Sequence, residues 1–246
     1  MTFDSSNSPG AFPPTRVSIL ERLRSDAVEV RQDAFNAITR AYWRPAYKYV
    51  RLTWQLPRED AEDAIQGFFS LAHEKGWLER FDPSVARFRT FLRICVDRFV
   101  MNERKAARAQ KRGGGVATLS LDFAGAEGEL AQHDPADPVD QEELFRREFV
   151  RTLFAEAVEA VREECRRAGK EVPFQLFERY DLGPEEKTTY ADLAREFGIP
   201  VTHVTNHLSL VRRVFRTVVL ERLREVSGSD AEYRIEAREL LGIEVL

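Results

Sequence analysis

The chain has 246 residues, an apolar share of 43% and a formal net charge of −4. That length allows one large or two small domains, the apolar share is enough for a real core, and the charge total by itself points to no nucleic-acid partner. No apolar run approaches the roughly 18 residues that a membrane span needs.

The charge is sharply segregated. From Ser84 to Arg112 there are nine Lys or Arg against Asp97 and Glu103, a net of +7. From Thr118 to Glu148 there are nine Asp or Glu against Arg146 and Arg147, a net of −7. Such asymmetry within one chain says more about partners than its total. The two cysteines, Cys95 and Cys165, sit far apart in helical patterns without a CxxC spacing. They read as reduced thiols of a cytosolic protein.

In chain order, residues 1 to 15 are rich in Ser, Pro and Gly and are expected to be disordered. They hold neither the basic nor the apolar segment of a signal peptide, so the expected compartment is the cytoplasm. Residues 16 to 112 read as helical. Val17, Leu20 and Leu23 begin an apolar stripe, which Ala34, Phe35, Ile38 and Tyr42 continue at helical spacing. The aromatic cluster Tyr42, Trp43, Tyr47, Tyr49 and Trp54 reads as core. Pro57 opens a new helix, with Glu59, Asp60, Glu62 and Asp63 favouring its positive end.

The helix from Phe88 to Arg112 interleaves Phe88, Phe91 and Phe99 with cations. Charge of that kind attracts phosphates, and rings can stack on exposed bases. A core helix with a solvated basic face is the other reading. Residues 113 to 140 open on three consecutive glycines, hold Asp-Pro steps and acids with little periodicity, and read as an acidic linker. Lying beside the basic helix in sequence, the linker is expected to cover it, with Asp134, Asp137 and Asp140 as the acids to test.

A second helical block spans 141 to 226. Within it, residues 189 to 216 read as a helix-turn-helix, with Gly198 at the turn and Val204, Leu208, Val211 and Phe215 turned inward. Thr202, His203, Thr205, Asn206, Ser209, Arg212 and Arg213 face outward, as does Arg216. Short polar side chains followed by arginines suit a helix that reads base edges and holds phosphates. His203 and His207 lack the Glu and the third ligand of a zinc motif, so no metal site is expected. Residues 227 to 246 read as a helical extension whose loss should leave the rest folded. The expected fold class is all-α, in two small helical domains joined by the acidic linker.

With both halves in view, the chain resembles bacterial RNA polymerase sigma factors of the small extracytoplasmic-function type. The resemblance rests on DAEDAIQGFF (60 to 69), RFDPSVARFRTFLRICVDRFV (80 to 100) and YADLAREFGIPVTHVTNHLSLVRR (190 to 213). It covers roughly residues 16 to 225. It implies that 16 to 112 form a sigma domain two-like unit and that 141 to 226 form a sigma domain four-like unit. It implies that Asp60, Glu62, Asp63 and Gln66 dock on the polymerase clamp. Arg98, Asn102, Arg104, Lys105 and Arg108 would hold the strand of the downstream promoter element. The helix-turn-helix would read the upstream element as duplex, and the linker would thread into the polymerase near the RNA path. The implied partners are core RNA polymerase and promoter DNA, with an anti-sigma factor as a candidate third. No cofactor is implied, and catalysis would belong to the polymerase. Thr205, Asn206, His207 and Leu210 stand where the family often shows more basic residues, which leaves the upstream sequence open. The rival readings are a stand-alone helix-turn-helix regulator and a protein-interaction module.

Overall fold

The computed structural model describes residues 18–109, 120–130, 140–183 and 188–245. Residues 1 to 15, most of the expected linker, Asp134, Asp137 and the side chain of Arg108 lie outside the described residues. Among the described residues the fold is all-α, and no helix is long and apolar enough to cross a membrane.

The helices are α1 (Ile19–Leu23), α2 (Val28–Thr53), α3 (Arg58–Glu74), α4 (Phe88–Ala109), α5 (Phe123–Leu130), α6 (Gln141–Arg167), α7 (Glu171–Asp181), α8 (Tyr190–Phe197), α9 (Val201–Glu225) and α10 (Asp230–Leu241), with one 3-10 turn at Leu78–Arg80. Their ends follow from local chemistry. Ser18 and Glu21 exchange side-chain and backbone hydrogen bonds as a capping box on α1. Pro57 is the N-cap of α3, where the missing N–H costs nothing. The Asp140 carboxylate accepts from the Glu142 N–H and starts α6.

The helix α2 is the central strut, with Tyr42, Trp43, Tyr47 and Tyr49 all buried. Phe145 and Phe149 of α6 stack on Tyr42, with ring centroids 6.4 and 4.9 Å away. The first core takes side chains from α1 to α5, the N-terminal half of α6, the end of α9 and α10. The second takes the C-terminal half of α6, α7, α8 and the start of α9.

Three sequence expectations change here. Residues 123 to 130, read as linker, are the helix α5, whose Phe123 ring meets Trp43 and Tyr47 at 5.5 and 5.0 Å. The division between cores does not fall at the linker. It falls within α6, between Ala157 and Val161, and within α9, between Val211 and Val219. At 27 residues, α6 is roughly 40 Å long at 1.5 Å per residue, longer than one small core. Residues 227 to 246 are no loose extension either, because Tyr233 and Ala237 are buried in the first core. Gly228 permits that approach, since a Cβ there would drive into the Phe81 ring.

Candidate functional site

The basic helix α4 buries Phe88, Leu92, Val96, Phe99 and Val100. Phe88 lies edge-on to Phe81 at 5.1 Å, and Phe99 packs on Phe68 and Trp77 at 5.9 and 6.2 Å. This overturns the reading of these rings as surfaces for bases. Aromatics that fall on the period of an apolar face are drawn into the core whatever cations stand beside them. Phe91 is partly buried against the same core.

The cations of α4 divide in two. Arg87, Arg89 and Arg93, on its approach and first turns, are paired with carboxylates of α6 and α10. Arg93 donates from Nε to Glu142 at 2.9 Å and from Nη1 to Asp97 at 3.0 Å. Arg87 grips both oxygens of Glu239 at 2.6 and 3.0 Å, and Arg89 meets Glu236 at 3.3 Å. Further along, Arg98, Asn102, Arg104 and Lys105 are exposed, and among the described residues no ion pair engages these three cations. Arg98, Asn102 and Lys105 stand at four- and three-residue steps and share one face. Arg104 turns aside, with its guanidinium 5.6 Å from the Trp54 ring centroid.

Trp54 was read as core, and the structure instead leaves it half-buried at the α2–α3 corner, next to that exposed face. Its Nε1–H donates to Asp97 at 2.8 Å, and the Tyr49 hydroxyl donates to the same oxygen at 2.8 Å. Asp97 thus fastens the end of α2 to the middle of α4. Burial, aided by this acceptor, pushes the Tyr49 hydroxyl up to about 12, so it stays a donor at neutral pH.

On α3, Ala61, Ile65, Phe68, Phe69 and Ala72 face the core. Asp60 and Asp63 are exposed, and Gln66 is half-buried. Glu62 accepts from Arg58 Nε at 2.7 Å, a surface pair of little energetic weight. The four residues singled out here therefore lie on the outer side of one helix, and among the described residues no ion pair engages Asp60 or Asp63.

The α8–α9 unit is a helix, a tight turn and a longer helix. Thr189 and Asp192 form a capping box at the start of α8. Gly198 ends it at φ +63°, a left-handed conformation that side chains disfavour. Leu193, Val204, Leu208 and Val211 are buried between the helices. Thr202, His203, Thr205, Asn206, Ser209 and Arg213 are exposed, and so is Arg216. Thr202, Asn206, Ser209, Arg213 and Arg216 recur at four- and three-residue steps as one stripe. Arg212 stands apart from them. It donates to both oxygens of Asp181, at 2.9 to 3.2 Å, and to the Tyr190 hydroxyl at 3.3 Å, and lies over the Tyr180 ring. Those contacts use its fork to join α7 to α9, so it is not available as a free phosphate contact.

Of the described acids of the expected linker, Asp122, Glu127 and Glu129 turn to α2 rather than to α4. Asp122 accepts from Arg44 at 2.9 Å, and Glu127 from Arg51 Nε and the Tyr47 hydroxyl, both at 2.6 Å. Glu129 meets Arg44 and Lys48. All three cations stand on α2. The acids that do face α4 come from Glu142 and from Glu232, Glu236 and Glu239 of α10. The spacing of the last three, four and then three residues, was the available signal, and the reading of 227 to 246 as an extension passed over it.

Among the described residues no three His, Cys, Asp or Glu side chains gather as a metal-binding set. The chain matches no protein-family model and no curated protein.

Proposed function

We propose that this chain is a sigma factor of the extracytoplasmic-function type, which binds core RNA polymerase and directs promoter recognition, melting and transcription initiation. One observation carries the reading. The same chain presents a free acidic face on α3, an exposed cationic stripe on α4, and a polar, arginine-tipped stripe on α9 of a helix-turn-helix. On this reading Asp60, Glu62, Asp63 and Gln66 meet the polymerase. Arg98, Asn102, Arg104, Lys105 and Arg108 hold the opened strand by its phosphates, which offsets part of the cost of unpairing. Thr202, Asn206, Ser209 and Arg213 enter the major groove of the upstream element, where a helix fits. The protein does no covalent chemistry of its own.

The test is reconstitution with bacterial core RNA polymerase, followed by gel filtration and transcription from a genomic promoter library. A stable complex with selective transcripts is the expected result. No complex would sink the reading and leave the stand-alone regulator. One observation favours that rival: α6 and α9 each run through both cores, which ties the helix-turn-helix to α4 in one packed body.

A further inference from the structure

We propose that the start of α4 is a phosphate-binding site, built by the Phe88 N–H and the guanidinium groups of Arg87 and Arg89, and that α10 occupies it until a nucleic-acid strand takes its place.

The site has the parts an anion needs. The first N–H groups of a helix have no partner within the helix and carry its positive end. Here the Phe88 N–H donates to Glu232 Oε1 at 2.6 Å. Beside it, Arg87 holds Glu239 with both Nη atoms and reaches Glu236 Oε1 at 3.2 Å. Arg89 is the informative member. It is only 3% exposed, and its Nε and Nη1 have no hydrogen-bond partner among the described residues. Its single hydrogen bond is from Nη2 to Glu236 at 3.3 Å, while Glu142 stays 4.0 Å away.

A buried guanidinium with most of its fork idle is costly. Three carboxylates carried on one helix face cannot turn to fill it, because their spacing is fixed by α10. A phosphate offers oxygens in several directions and matches the arginine fork. The carboxylates of α10 are in this sense an incomplete substitute for phosphate. One of them is also uncomfortably placed: burial pushes the Glu232 carboxyl up, against the hydrogen bonds from Phe88 and Gly228 that hold it down.

The source of the phosphate follows from the helix itself. Arg98, Asn102 and Lys105 continue along α4, about 15 to 25 Å from the site at 1.5 Å per residue. Arg87 stands about three turns before Arg98 and shares its face, whereas Arg89 starts on the opposite side and meets Arg87 only at Glu236 Oε1. A single strand running along the Arg87 face would place one phosphate at that meeting point and others along the stripe. The proposal rests on α4 as the strand-binding helix, and it adds that α10 competes for that strand.

The experiment measures binding of the full chain, without polymerase, to a fluorescent single-stranded oligo-dT at low salt. Glu236→Gln with Glu239→Gln should tighten binding tenfold or more. Arg87→Gln in that background should return it to near the parental value. A charge-matched control, Glu29→Gln with Asp33→Asn, both exposed on α2, should change it less than twofold. Glu239→Gln alone touches only the exposed edge of the contact, so it serves if the double variant fails to fold, with a smaller gain of the same sign. No gain, a gain that Arg87→Gln leaves intact, or an equal gain in the control would overturn the proposal. Inorganic phosphate at millimolar concentration should leave the gain in place; if it abolishes the gain, the site takes free phosphate and the strand assignment fails. Failure of the sigma reading would show separately, as absence of a complex with core enzyme.

Discussion

Among the described residues Lys48 and Glu148 are the most completely buried pair of opposite charges, at 3% and 1% exposure and 2.8 Å apart. Removing Glu148 leaves the buried Lys48 ammonium with Glu129 alone. Glu148→Ala should therefore cost up to about 3–5 kcal/mol of unfolding free energy, the figure for a fully stranded charge, read from urea denaturation. Lys48→Met with Glu148→Leu should recover most of that loss, since apolar replacements often match a buried pair. The thiols behave by the same logic of burial. Cys95 is pushed up to about 11 by desolvation and Cys165 is also raised, so both are protonated at pH 8. Alkylation of the native protein at pH 8 should be slow, and unfolding in urea should release both thiols to fast reaction. At this scale the sequence shows which residue types are present but not how each is used. Arg213 and Arg212 are neighbours of equal chemistry, yet one is exposed and the other is spent on Asp181, a residue 31 positions away.

Elements with a strong 3.6-residue period were legible: α3, α4, α8 and α9 all lie where apolar spacing puts them. α5 was not, because its eight residues, FAGAEGEL, include two glycines and no apolar stripe. Docking makes it a helix, through Phe123 against Trp43 and its acids against Arg44, Lys48 and Arg51. The partner of α10 was equally hidden, since it depends on contacts across about 145 residues of chain. Its attachment has a pH dependence that can be worked out. The docked Glu232 carboxyl is raised, by burial first and then by Glu236, while the Phe88 and Gly228 N–H groups and Arg87 act the other way. A raised carboxyl favours the docked state when protonated, so this contribution is full below its unfolded pKa and is lost as pH rises through the docked one. Glu239, held low by Arg87, stays ionised as the pH falls through the mildly acidic range. Hydrogen exchange in α10 should thus become better protected, after correction for intrinsic rates, as pH falls towards the ordinary glutamate range. Glu232→Gln should flatten that trend; an unchanged slope would assign it to another group.

At the scale of the whole molecule, the all-α class was legible from the absence of strand-type alternation. The way the cores interlock was not. Composition placed the boundary in the acidic stretch, whereas the long helices carry it inside themselves. The expectation that 227 to 246 could be removed without unfolding the rest fares poorly against this packing. Truncation after Val226 takes away buried Tyr233 and Ala237 and uncovers Arg89. It should lower stability by roughly 3 kcal/mol or more, on the scale of a buried aromatic lost from a core. A thermal melt of the truncated chain at the parental midpoint would contradict this.

The place of α10 in the first core also sets an order of events in the cell. Chains leave the ribosome from the N-terminus at about 5–20 residues per second, and early segments begin folding before later ones exist. Here α1 to α4 can gather around α2 at once, but the pocket that Tyr233 fills and the groups that Glu232 and Glu236 contact wait until α10 has been made, well over a hundred residues after α4. For several seconds, each nascent molecule carries α4 with Arg87 and Arg89 uncovered. Assembly with any polyanion nearby is then in a race with translation.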